Sequence, residues 1–128
     1  MKKKFLIVIA DYYKDISKGL LNSAMAVIPK SSLIKVIIVP GVFEIPVTIS
    51  KNIKKYDAFL ALGCVIKGQT PHFDFIAHAS TDGIMKLSIE SKKPIGNGII
   101  TCLNMRQAII RKKKGREAAQ AVISVLIQ

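Results

Sequence analysis

The chain contains 128 residues, of which 50% are hydrophobic and 22% charged, and its formal net charge at pH 7 is +12. This length suits a single domain, residues 1–128, with a well-formed core, and the apolar content excludes an intrinsically disordered chain. No apolar stretch reaches the roughly 20 residues that a membrane-spanning helix requires, so we expect no membrane partner.

The basic residues are mostly lysines, scattered along the chain beside many isoleucines. Nucleic-acid binding is typically indicated by a basic stripe with interleaved aromatics or by a recognised motif, and the sequence has neither. The one dense basic cluster, at residues 111–116, fits either a phosphate-binding segment or the solvated end of a helix. We therefore expect no nucleic-acid partner.

The first predicted element is a strand at residues 5–10, where an apolar run follows three lysines. This start resembles a signal peptide, but the run is too short, meets Asp11 and has no small-residue cleavage site after it. We therefore expect a cytoplasmic protein. The two cysteines, Cys64 and Cys102, lie in later apolar runs without a CxxC pair or metal-ligand spacing, which predicts buried reduced thiols and no metal site.

Strand and helix patterns alternate along the whole chain. Strands are predicted at residues 5–10, 34–39, 58–66 and 95–102, separated by helices at 16–28, 45–53, 71–90, 105–112 and 117–127. Such alternation indicates βαβ units and therefore an α/β three-layer sandwich, a flavodoxin-like four-stranded parallel sheet with helices on both faces. Ligands of such folds bind at the carboxyl ends of the strands. No GxGxxG or GxxxxGK[ST] motif follows any strand, which argues against dinucleotide and P-loop sites.

Two of the strand ends carry residues suited to chemistry. In VPGVFEIP the chain turns at Gly41 and Glu44 begins a helix, where a carboxylate alone would fit a simple interaction with the helix dipole. In ALGCVIKGQTPHFD we predict Thr70 as a helix N-cap and Pro71 at the first helical position, with outward backbone N–H groups that can bind an anion. His72 follows within one turn, although a βα turn with a surface histidine is the commoner meaning of this pattern alone.

Four motifs in order, VPGVFEIP, ALGCVIKGQTPHFD, KPIGNGIIT and KKGREAA, resemble the lumazine synthase family of riboflavin biosynthesis, over residues 7 to about 126. The resemblance implies a transferase that condenses 5-amino-6-ribitylaminouracil with 3,4-dihydroxy-2-butanone 4-phosphate. It implies loss of phosphate and water and release of 6,7-dimethyl-8-ribityllumazine, without a metal ion or organic cofactor. Both substrates are reactive, so positioning and proton transfer supply much of the catalysis.

The resemblance also implies roles for individual residues. The pyrimidine and its ribityl chain would be bound by Tyr12, Gly41, Val42, Phe43, Glu44, Cys64, Val65, Ile66, Asn97 and Lys114. Phosphate would be bound by Gln69, Thr70 and Arg111, whose forked guanidinium suits that ligand. The implied catalytic residues are His72, which transfers protons, and Glu117, which orients it. Tyr12 would stack on the pyrimidine ring, with Tyr13 as the alternative.

The chain departs from the family pattern at several positions. Family members often have an aromatic residue where this chain has Asn97, and the segment between Arg111 and Gly115 is several residues shorter than in many members. Lys67, Gln69 and Pro71 also replace more usual residues.

The resemblance implies a homo-oligomer, a pentamer or a multiple of pentamers, with sites between adjacent subunits. We expect an isolated ring, because the 111–115 segment and the N-terminus are short, and riboflavin synthase is a candidate protein partner. We also expect one subunit to supply Tyr12, Glu44 and Asn97, and its neighbour to supply Thr70, His72 and Arg111.

Two other functions remain open from the sequence. A catalytically degenerate relative that only assembles, or that binds a flavin or lumazine, is compatible with Asn97 and the short 111–115 segment. The other hypothesis is a flavodoxin-like binding or signalling module. A signalling receiver would need clustered acids at the end of the first strand, where the sequence has only Asp11.

Overall fold

The computed structural model describes residues 2–128, and its centre is one parallel sheet with the strand order β2-β1-β3-β4. The strands are β1 (Lys4–Ala10), β2 (Leu33–Val39), β3 (Ala58–Ile66) and β4 (Ile95–Cys102). The helices are α1 (Lys14–Met25), α2 (Ile45–Lys51), α3 (His72–Ser91), α4 (Met105–Arg111) and α5 (Gly115–Leu126), and a 3-10 turn at Val42–Glu44 precedes α2. This arrangement confirms the predicted three-layer α/β sandwich.

The two central strands are buried on both faces because helices cover the sheet from both sides. Successive side chains of β1 alternate between two clusters: Ile7 packs with residues of α1 and α5, whereas Leu6 packs with residues of α2 and α3. β3 alternates in the same way, with Leu60 in the first cluster and Phe59 in the second. Each helix layer therefore has its own core on one side of the sheet.

Several predicted boundaries need correction. The prediction was wrong for the start of α3, which begins at His72 with Pro71 as its N-cap. The N–H groups of Asp74 and Phe75 both donate to the Pro71 carbonyl, at 3.0 and 3.2 Å, so the hydrogen bonds of the helix begin one residue later than Thr70. The Thr70 hydroxyl oxygen accepts the His72 N–H at 3.4 Å, so its side chain still makes a long capping contact with the first turn.

The other helices differ from the prediction only at their ends. α1 stops at Met25, three residues before the predicted end, and α2 stops at Lys51, before Ile53. α5 begins at Gly115, two residues earlier than predicted, where it packs closely on α1. A Cβ at Gly115 would overlap the carbonyl oxygen of Leu20, so glycine permits this close approach of the two helices.

Candidate active site

The carboxyl ends of β1, β2 and β3 surround a cavity of about 690 Å³, called here the first cavity. Nine of the residues predicted from sequence line it: Tyr12, Gly41, Val42, Phe43, Glu44, Cys64, Val65, Ile66 and His72. They come from three strand ends, the 3-10 turn and the start of α3. The structure thus brings together residues that lie up to 60 positions apart in the sequence.

Two glycines allow the 3-10 turn to lie close over the sheet. A Cβ at Gly63 in β3 would lie 2.8 Å from the Val42 side chain, so glycine leaves room for that valine to be buried. A Cβ at Gly41 would lie 3.0 Å from Oε1 of Glu44, because this carboxylate folds back over the start of its own turn. The Gly41 carbonyl accepts the Glu44 N–H at 3.2 Å, which fixes that geometry.

Three aromatic side chains at the first cavity are largely exposed to solvent. Tyr12 is 75% exposed, Phe43 61% and Phe75 68%. Tyr12 also packs edge-to-face on Tyr13, with ring centroids 4.9 Å apart and an interplanar angle of 82°. Aromatic rings with free faces at the rim of a cavity suit stacking against a planar ligand.

The wall of the first cavity at the end of β3 is uncharged. Burial raises the pKa of the Cys64 thiol to about 12, and the neighbouring Cys102 adds to this effect. Both thiols are buried and unpaired, as predicted. Burial also raises the pKa of Tyr13, with smaller contributions from Tyr12 and Cys64. Cys64 therefore remains a neutral thiol near pH 7 and is not activated as a nucleophile.

The exposed turn between β3 and α3 is open to an anionic ligand. Lys67 N–H donates to the Cys102 carbonyl at 2.8 Å and fixes the start of this turn on the sheet. Gln69 and Thr70 are exposed, and a Cβ at Gly68 would meet no atom within 4 Å. Since the turn leads into a helix of 20 residues, its N–H groups lie at the positive end of a helix dipole, next to His72.

A second cavity, of about 570 Å³, lies between the edge strand β4 and helices α4 and α5. The other predicted residues that line it are Asn97, Arg111, Lys114 and Glu117. Several of its polar groups already form hydrogen bonds or an ion pair with other groups of the same chain. Arg111 donates from Nη1 to the Thr101 carbonyl at 3.1 Å, and Lys114 Nζ lies 3.1 Å from Glu117 Oε2. Asn97 Oδ1 accepts the Ile99 N–H at 3.0 Å.

The expected grouping of these residues within one subunit was wrong. His72 lines the first cavity with Tyr12 and Glu44, whereas Asn97 lines the second cavity with Arg111. The reason is that α3 starts directly above the end of the central strand β3, while β4 is an edge strand that packs against α4 and α5. Within one chain, His72 and Glu117 also line different cavities.

Sequence reasoning missed two residues of the first cavity, Phe75 and Ile76, and gave Tyr13 only as an alternative to Tyr12. Phe75 lies three residues after His72, so helical periodicity places both on the same face of α3 and could have identified it.

Over residues 2–128, no helix is both long and apolar enough to span a lipid bilayer. The same residues contain no cluster of three or more histidine, cysteine, aspartate or glutamate side chains that could hold a metal ion.

The chain was also compared with known proteins. It is 41% identical over 125 residues to the 6,7-dimethyl-8-ribityllumazine synthase of Corynebacterium kroppenstedtii, covering 91% of this chain and 79% of the relative. The enzyme of the same name from Cutibacterium acnes is 40% identical over 132 residues, with 96% and 80% covered. That of Zymomonas mobilis subsp. mobilis is 42% identical over 130 residues, with 95% and 93% covered. Since residues 2–127 also match the family model described as 6,7-dimethyl-8-ribityllumazine synthase, the chain belongs to that family.

Proposed function

We propose that this protein condenses 5-amino-6-ribitylaminouracil with 3,4-dihydroxy-2-butanone 4-phosphate to give 6,7-dimethyl-8-ribityllumazine. The observation that carries the proposal is the convergence of Tyr12, Glu44 and His72 on one cavity, together with the relatives that bear the name of this activity. No metal ion or organic cofactor takes part in the proposed reaction.

The proposed reaction needs binding, orientation and proton transfer from the protein. The amine of the pyrimidine attacks the ketone, and loss of water gives a Schiff base. Elimination of phosphate and then ring closure with loss of a second water complete the product. His72 moves protons during these steps, while Tyr12 stacks on the pyrimidine and Glu44 accepts hydrogen bonds from the ribityl hydroxyls.

Phosphate binding is assigned to the turn before α3 and to Arg111 of the second cavity. In this proposal the N–H groups of residues 68–70, in the exposed turn before α3, bind the phosphate. Arg111 in the second cavity keeps further guanidinium donors free after its one bond to the Thr101 carbonyl. A complete site therefore requires the second cavity of one subunit to face the first cavity of its neighbour.

Such head-to-tail contacts form a closed ring when the rotation between subunits closes, and we propose a pentamer. Exposed apolar side chains support the contact on both sides. One side has Ile38 of β2, Phe43 of the 3-10 turn and Val47 of α2. The other side has exposed apolar residues of α4 and of the turn before it: Leu103, Met105, Ile109 and Ile110. Apolar patches of this kind typically mark interfaces. In the ring, Glu117 of one subunit approaches His72 of the next and orients it, with Lys114 beside it.

The direct test is to mix the purified protein with both substrates and follow the absorbance of the lumazine product. We expect product formation that depends on both substrates and is accompanied by one phosphate released per lumazine. Binding of the pyrimidine or of lumazine without turnover would contradict the proposal and favour the degenerate ligand-binding relative.

Arg111→Ala should raise the KM for the phosphate substrate about 10–100-fold, as expected for loss of a charge-assisted hydrogen bond, and should change the KM for the pyrimidine much less. Steady-state kinetics with each substrate varied in turn measures the difference. Lys113→Ala removes an exposed charge two residues away and should leave both values within about twofold. Equal effects of Arg111→Ala on both substrates would remove this residue from the phosphate role.

His72→Asn should lower kcat on the order of 10–100-fold, which is modest for the loss of an acid–base group because the substrates react slowly unaided. The matched control is His78→Asn, since His78 is an exposed histidine of the same helix that lies outside the first cavity. A His72 variant that loses stability, with no specific kinetic defect, would indicate a structural role instead.

A further inference from the structure

Two serines, Ser17 and Ser80, are the buried polar side chains of the described chain, at 3% and 1% exposure. Ser80 donates to the Ile76 carbonyl at 2.6 Å, a bond within its own helix. Ser17 differs, because its hydroxyl donates outside its own helix, α1, to the Ala10 carbonyl of β1, also at 2.6 Å. A buried hydroxyl is costly unless it is hydrogen-bonded, so this bond is a fixed part of the fold.

Ser17 holds both ends of the connection between β1 and α1. Its hydroxyl binds Ala10, the last residue of β1, and its backbone N–H donates to the Tyr13 carbonyl at 2.9 Å, immediately before α1. The segment enclosed by these two bonds is residues 11–13, which includes Tyr12. This connection is also held by a longer hydrogen bond, of 3.3 Å, from the Asp11 N–H to the Val39 carbonyl.

The Tyr12 ring depends on this backbone for its position. Its side chain is mostly exposed, and its aromatic contact is with Tyr13, which lies in the same connection. Tyr13 is the N-cap residue of α1, and its side chain makes no capping hydrogen bond. A change in the backbone at residues 11–13 would therefore move both rings together, relative to the turn and strand ends that form the rest of the first cavity.

From these contacts we infer that Ser17 is a positioning residue, which holds Tyr12 in the orientation that binds the pyrimidine substrate. The inference rests on the proposed function, because it takes Tyr12 as a contact of that substrate. Ser17 acts on one substrate only. The phosphate substrate is assigned to the turn after β3 and to Arg111, and neither belongs to the connection that Ser17 encloses.

Ser17→Ala should raise the KM for the pyrimidine about tenfold, the effect of one hydrogen bond on an equilibrium constant, with the KM for the phosphate substrate changed less than about twofold. Calorimetric Kd values for the pyrimidine alone should show the same rise. Ser80→Ala is the matched control: it also removes a buried serine hydroxyl, and it should lower the urea midpoint of unfolding while leaving both KM values unchanged.

Combining the substitutions tests whether Ser17 affects pyrimidine binding through Tyr12. In a Tyr12→Ala background, Ser17→Ala should cause no further rise in the pyrimidine KM, because the ring that Ser17 positions is already absent. Ser17→Cys keeps a weak donor on a slightly larger side chain of the same shape, so it should lie between the wild type and Ser17→Ala. It replaces Ser17→Ala in every comparison if the alanine variant does not fold.

Three results would overturn the inference: an unchanged pyrimidine KM, an equal rise for both substrates, or a rise that persists in the Tyr12→Ala background. The proposed function is judged separately, by product formation in the wild type. If the wild type makes product and the Ser17 variants behave like Ser80→Ala, only the positioning role fails. If the wild type makes no product, the calorimetric Kd values still decide whether Ser17 acts on pyrimidine binding.

Discussion

Parallel pairing of β1 with both β2 and β3 is the constraint on which the first cavity depends. In a parallel sheet the carboxyl ends of all strands lie at the same end of the sheet. The segments that follow these three strands must therefore meet there. The pairing is held by a core that is continuous on both faces of β1 and β3, with Leu6 and Phe59 on one side and Ile7 and Leu60 on the other. The exposed cavity residues that follow β1 and β3 therefore rest on strands that are almost fully buried.

The two cavities differ in chemistry in a way that suits a divided site. The first is mainly aromatic and aliphatic, with a neutral thiol at Cys64 and one carboxylate, Glu44. The second contains the cations of Arg111 and Lys114, together with the Glu117 carboxylate that pairs with Lys114. A ring of head-to-tail subunits would join the surface that stacks a planar ring to the surface that binds phosphate. Because both proposed substrates are reactive, holding them together in this way supplies much of the catalysis.

The sequence predicted the parallel sheet and the bounds of its strands better than the start of α3. The strands at residues 58–66 and 95–102 were predicted with their observed ends, because long apolar runs are bounded there by polar or turn residues. The start of α3 was displaced by one residue, since the hydrogen bonds to the Pro71 carbonyl, not the residue type at Thr70, determine where the helix begins.

Motifs predicted nine residues that line the first cavity and four that line the second, but not this grouping in space. Asn97 was expected beside Tyr12 and Glu44, and His72 beside Arg111, because a motif gives only the order of residues along the chain. The cavity that each residue lines depends on β4 being an edge strand. The role inferred for Ser17 had no sequence pattern at all. A serine within an amphipathic helix is unremarkable, and its hydrogen-bond partner is recognisable only when the end of β1 and the start of α1 are seen together.

In the proposed ring, a complete site takes its first cavity from one subunit and its second from the next. Co-expression of Glu44→Ala chains with Arg111→Ala chains tests it most directly, because random mixing in a ring leaves about a quarter of the interfaces with both cavities intact. The control pair is Glu44→Ala with His72→Ala, which both damage the first cavity and can restore no interface. With the phosphate substrate held well below the KM of the Arg111→Ala chains, we expect recovery of lumazine synthesis in the first pair alone. Mixed rings that recover equally in both pairs, or in neither, would contradict it.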